Sequence, residues 1–237
     1  MPRTDQNNAA DSRPLTIKVD EHTRVSGLLL HPAGATTCYV LAHGAGAGMT
    51  HPFMQDLALG LAARRIATLR YQFPYMERHG KRPDPPALCH ATVRAAVHAA
   101  RRTVPALALV AGGKSFGGRM SSQAQALAPL DGVRGLIFLG FPLHPPKQPS
   151  AARAAHLDEV HVPLLFLQGA RDAFAEAGWL DPLIERLGTR ATRLTLPFAD
   201  HSFHVPARSG RTDRQTLDEV LDAIAAWTGA LPGSLPQ

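Results

Sequence analysis

The chain has 237 residues, 45% of them hydrophobic and 19% charged, with a formal net charge of +6. This is globular composition at a length normal for one large α/β domain, which excludes a disordered or fibrous chain. The basic excess comes from 21 Arg against 4 Lys, scattered through Ala-rich stretches such as "LAARR" and "VHAARR". Scattered charge of this kind reads as solvated helix faces, not as a nucleic-acid-binding stripe.

The first residues, 1–13, are polar, read as frayed, and carry no apolar signal region, so the expected location is cytoplasmic. A single domain is predicted over 14–230. It begins with strands at 15–19 ("LTIKV") and 24–30 ("RVSGLLL"), which only "DEHT" separates, so they should form an antiparallel hairpin at a sheet edge. A strand at 37–42 ("TCYVLA") leads to a helix at 52–65, a strand at 66–71 and a helix at 86–102. Strand 106–111 ("ALALVA") precedes helix 116–128, and strand 136–140 ("LIFLG") precedes a Pro-rich interval, 141–163, too short for a folded cap but able to hold a lid-like helix. Strand 164–168 ("LLFLQ"), helix 174–187, strand 193–197, helix 212–228 and a frayed tail, 231–237, complete the chain. The expectation is an α/β fold with an eight-stranded, mostly parallel sheet flanked by helices and no large cap domain. No apolar run reaches the roughly 18 residues of a spanning helix, so no membrane partner is expected. Cys38, in an apolar run, and Cys89, in a helical stretch, read as buried structural thiols.

"AGGKSFGGRM", residues 111–120, admits two readings. A phosphate-cradling loop needs a glycine five residues before the Gly of Gly-Lys-Ser, and that position is Ala108, inside the strand. Gly113-Lys114-Ser115-Phe116-Gly117, between strand and helix, fits instead a sharp turn that lifts a nucleophilic serine above the sheet. Asp172, in "GARDAF" after the next-to-last strand, is placed to orient a histidine, and His201, in "FADHSFHVP" after the last strand, is placed as the base. "LAHGAGAGM" can expose backbone amides beside the serine, so the donors for an oxyanion are assigned to the N–H groups of Phe116 and Ala45.

Each residue has a plainer reading. Ser115 is also a small residue suited to a tight turn, and Asp172 a cap for the following helix. Asp158 and Asp181 are weaker rivals to Asp172, and His204 competes with His201. His43 reads as a shaper of the glycine loop; neither the pair His43 and His51 nor the pair His201 and His204 has a third metal ligand at convincing spacing, so no metal and no cofactor is predicted. Lys114 and Arg119 flank the serine and read either as attractors of an anionic substrate or as solvated or ion-paired side chains. Residues 73–86, "FPYMERHGKRPDPP", read as a rim loop whose aromatics line a pocket.

"LAHGAGAGMTHPFM", "YQFPYMERHGKRPDPP", "GGKSFGGRMSSQAQA", "LGFPLHPP", "FLQGARDAF" and "ADHSFHVP" together resemble a group of small bacterial α/β hydrolases related to the dienelactone hydrolases. Eukaryotic relatives of that group include a testis-expressed protein and a subunit of a histone-acetyltransferase complex. The resemblance runs from about residue 36 to 228 and implies an α/β-hydrolase fold with the triad on Ser115, Asp172 and His201. Dienelactone hydrolases proper use a Cys where Ser115 stands, so their substrate does not carry over. The leading expectation is a serine hydrolase acting on a carboxylic ester or a related small-molecule acyl substrate. The alternative from another class is a hydrolase-like protein that binds a partner with little or no turnover.

Overall fold

In the computed structural model, which describes residues 12–145 and 147–231, eight strands join one sheet. They are β1 (Arg13–Lys18), β2 (Arg24–Leu30), β3 (Thr37–Ala42), β4 (Ile66–Tyr71), β5 (Ala108–Lys114), β6 (Val133–Leu139), β7 (Leu164–Gly169) and β8 (Ala191–Leu196), in the spatial order β1-β2-β4-β3-β5-β6-β7-β8. β1 and β2 form the expected antiparallel edge hairpin, β2 runs antiparallel to β4, and all other pairs are parallel. Six helices connect them: α1 (Pro52–Ala63), α2 (Pro74–Glu77), α3 (Pro86–Thr103), α4 (Phe116–Leu127), α5 (Ala177–Leu187) and α6 (Asp213–Ala230). No helix of the described residues is long and apolar enough to cross a membrane.

Every residue of β3, β4 and β7 is buried, as a sheet covered on both faces requires. Val40, Leu69, Phe138 and Phe166 pack with Val93 of α3, Met120 of α4 and Leu183 of α5. The alternate residues Tyr39, Leu41, Ile137 and Leu165 face the other way, onto Leu57 of α1 and Leu221 of α6. Cys38 and Cys89 are free and buried, and burial pushes their thiols up to about 12 and about 11, well away from reactivity.

Several boundaries differ from the sequence reading for local reasons. β1 is Arg13–Lys18, not 15–19, and Ser12 accepts a hydrogen bond from Arg70; residues 1–11 and 232–237 of the expected frayed ends lie outside the described residues. β5 starts two residues late because Leu107 N–H closes a turn on Val104, and it then runs through both glycines to Lys114, paired on each side. α5 starts at Ala177, not 174, because the Asp172 side chain accepts from the Phe174 N–H and its carbonyl from the Ala175 N–H, holding that stretch in a turn. Asp172 therefore makes a local turn without capping α5, whose flanking residue is Glu176. α6 is set by a capping box in which Thr212 and Gln215 bond reciprocally. Four short elements were not individually predicted: α2, 3-10 helices at Gly188–Arg190 and Ala207–Ser209, and a 3-10 helix at Ala152–Glu159 inside the Pro-rich interval, where a lid-like helix was allowed for.

The centre of the sheet lies under the α4 N-terminus, where the Phe138 ring packs against Phe166 and Phe141 at centroid distances of 4.9 and 5.0 Å. Phe138→Ala is expected to lower unfolding free energy by about 3–5 kcal/mol, read by urea denaturation. A loss below about 1 kcal/mol would contradict this placement of the core.

Candidate active site

Ser115 is the single residue between β5 and α4, and it has φ 49° and ψ −110°. That conformation is sparsely populated for a non-glycine residue and turns the side chain out of the strand-to-helix corner. The corner is tight: a Cβ at Gly117 would stand 2.5 Å from the His43 carbonyl oxygen and 2.7 Å from Ala42 Cβ. Ser115 N–H donates to the Leu139 carbonyl at 3.0 Å, which ties the corner to β6.

The three predicted residues come together above the carboxyl ends of the parallel strands. His201 Nε2 lies 2.8 Å from Ser115 Oγ, and His201 Nδ1 lies 2.7 Å from Asp172 Oδ2. Gly140, just past β6 at φ +69°, makes the crossing possible, since a Cβ there would stand 3.3 Å from His201 Nδ1 and 3.0 Å from Lys114 Nζ. The Asp172 side chain is fully buried and satisfied on both oxygens. Oδ2 also accepts from Gln168 Nε2 at 2.5 Å, and Oδ1 from Phe174 N–H at 2.8 Å. With Nδ1 donating to this carboxylate, Nε2 is the bare nitrogen that faces the serine hydroxyl.

The rivals are elsewhere. Asp158 pairs with Arg186 and Asp181 with Arg193. His204 bonds the exposed carboxylate of Asp213, which raises the histidine and lowers the aspartate. His51 caps α1, its Nδ1 accepting from Phe53 N–H at 3.2 Å.

The glycine loop after β3 is held by His43. Its ring is buried, Nδ1 donates to the Gly44 carbonyl at 2.7 Å, and Nε2 accepts from Phe73 N–H at 3.0 Å. Burial pushes its pKa down to about 4, so the ring is neutral and unsuited to trade protons near neutrality. Tyr75 Oη donates to the Ala45 carbonyl at 2.9 Å and fixes the far side of the loop. Phe73 and Tyr75 thus pack behind the loop, which corrects the expectation that the aromatics of 73–86 line the pocket; Pro83, Asp84 and Pro86 line it instead. Phe116 begins α4, where backbone N–H groups have no intrahelical partner, and it shares with Ala45 and Ser115 the wall of a pocket of ≈ 370 Å³.

Lys114 is partly buried and, among the described residues, forms no ion pair. Its ammonium donates to the His201 carbonyl and lies 5.0 Å from the Phe203 ring centre. Burial lowers its pKa to about 8 against the pull of Asp172 and Asp200. It clamps the His201 loop to the end of β5. Sequence reasoning missed this clamp, Gln168, and Phe174, whose ring lies 4.3 Å from that of His201. Gln168 did carry a signal, as the single polar side chain in "LLFLQG", which must find partners when buried.

A family described as an alpha/beta hydrolase domain matches residues 35–229. Among solved structures, a dienelactone hydrolase from Anabaena variabilis superposes with a TM-score of 0.74 at 20% identity, covering 94% of this chain and 99% of that one. An α/β serine hydrolase without lid from Xanthomonas campestris gives 0.73 at 20% identity, covering 95% and 97%. An esterase from Pyrococcus furiosus gives 0.71 at 14% identity, covering 94% of each. Identities this low establish a shared fold.

His156 on the 3-10 helix, like His43, is pushed down to about 4, by burial first and then by Arg119 and His90. Both rings stay neutral in the folded chain while the unfolded chain takes up protons below pH 6.5. Their contribution to stability is therefore complete above pH 6.5 and lost as pH falls toward about 4. Urea denaturation across that window should show a falling unfolding free energy, with a shallower fall in His156→Asn. An unchanged slope in the variant would remove His156 from the account.

Proposed function

The chain belongs to the α/β-hydrolase domain family, and from that premise we propose that it is a serine hydrolase that cleaves a carboxylic ester or related small acyl substrate through an acyl-enzyme. The observation that carries this reading is the continuous line from Asp172 through His201 to a strained Ser115, with both hydrogen bonds at 2.7–2.8 Å.

In the proposed cycle His201 Nε2 takes the Ser115 proton while Oγ attacks the acyl carbon. The carbonyl oxygen becomes an oxyanion and accepts hydrogen bonds from the Phe116 and Ala45 N–H groups, each worth about 3–4 kcal/mol in comparable sites. His201 then returns the proton to the departing oxygen, and the acyl group stays on Ser115. Water, deprotonated by the same nitrogen, attacks the acyl carbon; collapse releases the acid and restores Ser115. Asp172 stabilises the imidazolium in both halves, and because Gln168 and Phe174 already hold its two oxygens, it does so without moving.

A fluorophosphonate probe should add to the wild type, read by intact mass, and fail to add to Ser115→Ala, which should still fold because the side chain stands outside the core. A well-folded wild type that takes no label would turn the reading to the partner-binding alternative. On any ester that is turned over, Ser115→Ala and His201→Ala should each lose at least about 10³-fold in kcat, and His204→Ala less than about threefold. The reverse order for the two histidines would reassign the base.

A further inference from the structure

Two arginines meet in the pocket beside Ser115. Arg119 comes from the first turn of α4 and Arg153 from the 3-10 helix, and both line the same ≈ 370 Å³ cavity as Ser115, Phe116, Ala45 and Phe174. Among the described residues neither forms an ion pair, although Asp158, Asp181 and seven further acidic side chains do. The pocket's own carboxylate, Asp84, is already engaged: Oδ2 accepts from Tyr75 N–H at 2.6 Å and Oδ1 from Arg78 at 2.5 Å.

Arg119 Nε is buried with no hydrogen-bond partner among the described residues, while its guanidinium carbon lies 5.6 Å from the Phe116 ring centre. A buried donor left unpaired is costly, and two like charges in one cavity add to the cost. Burial, followed by the charge of Arg153, accordingly lowers Arg119 from its ordinary range, and burial lowers Arg153. His156, on the same 3-10 helix as Arg153, holds Ser122 Oγ of α4 at 2.7 Å, so the elements that carry the two guanidinium groups are bonded to each other.

We propose that Arg119 and Arg153 form an oxyanion subsite that selects esters carrying a carboxylate or phosphate near the scissile bond. Guanidinium forks match such groups with paired charge-assisted hydrogen bonds, and a bound anion would satisfy the orphaned Nε and neutralise the repulsion together. Resting on the hydrolase reading above, this names its substrate class. For a hemiester, Ser115 takes the carboxyacyl group and releases the alcohol; one water then releases the dicarboxylate.

The test separates binding from turnover. Calorimetric titration with glutarate and with propyl phosphate should show at least one binding to the wild type, weakening with salt, and binding at least about tenfold more weakly to Arg153→Gln and to Arg119→Gln. Whichever anion binds names the group. Neither binding, or equal binding to both variants, overturns the subsite. In parallel, the ratio of kcat/KM for 4-nitrophenyl hemiglutarate to that for 4-nitrophenyl valerate should exceed about ten in the wild type and fall toward one in Arg153→Gln. Anion binding that the variants lose, with no ester cleaved, keeps the subsite and defeats the hydrolase reading. Equal cleavage of both esters with no anion bound does the opposite.

Discussion

Ser115 sits at φ 49° and ψ −110°, a conformation that costs a non-glycine residue about 1–3 kcal/mol, and the middle of the sheet is arranged to hold it there. β5 is clamped between β3 and β6 up to its last residues, so the strand cannot relax sideways. α4 cannot retreat either, because its first turn lies against Ala42 and the His43 carbonyl and its underside is packed on Phe138. Strain persists only where the surroundings over-determine it, and here two parallel neighbours, a helix and an aromatic cluster do so together. The predicted oxyanion donors follow from the same geometry: the turn that exposes Oγ also leaves the Phe116 N–H at the open start of a helix.

A second constraint is the buried carboxylate. Asp172 has no access to water through its side chain, so its charge must be met by donors within the fold. Gln168 supplies one, the Phe174 N–H another and His201 the third. Gln168 is itself committed, because its Oε1 accepts from Phe141 N–H at 2.9 Å. The carboxylate is thereby fixed to the ends of β6 and β7, and the histidine is fixed from both sides: by Asp172 on its ring and by Lys114 on its carbonyl. An arrangement of three residues from three loops is held by bonds that run back into the strands.

The legible part of this architecture was local. Alternating strands and helices can be read from period and punctuation, and Ser115, Asp172 and His201 each follow a recognisable strand end, so chain order alone brought them to one edge of the sheet. What the sequence did not disclose depends on partners far apart in it. Lys114 reads as a flanking cation until the loop after β8, 87 residues later, puts a carbonyl over it. Phe73 and Tyr75 look like pocket aromatics until His43 and Ala45 draw their backbone and hydroxyl groups behind the glycine loop. The 3-10 helix at Ala152–Glu159 lacks the 3.6-residue period that marks an amphipathic helix, and its place is set by distant partners, Ser122 of α4 and Arg186 of α5.

These two classes of residue divide the site's labour. The groups to which the proposal gives bond-making stand just past strand ends or on the first residue of a helix, where the sheet fixes their positions. The groups that face a substrate's remainder are drawn from elsewhere: Pro83, Asp84 and Pro86 from the segment before α3, Pro142 and Arg153 from the interval between β6 and β7. That interval is held to the body by Phe141, Leu143, Ala154, Leu157 and Val160 in the core and by the His156 bond to Ser122. Its start is tied to the supports of Asp172, since Phe141 N–H engages Gln168 and Leu143 N–H the Phe174 carbonyl, whereas Arg153 stands further along, on the 3-10 helix. On the reading proposed above, a change of substrate class requires only that this short 3-10 helix present a different side chain to the cavity beside Ser115.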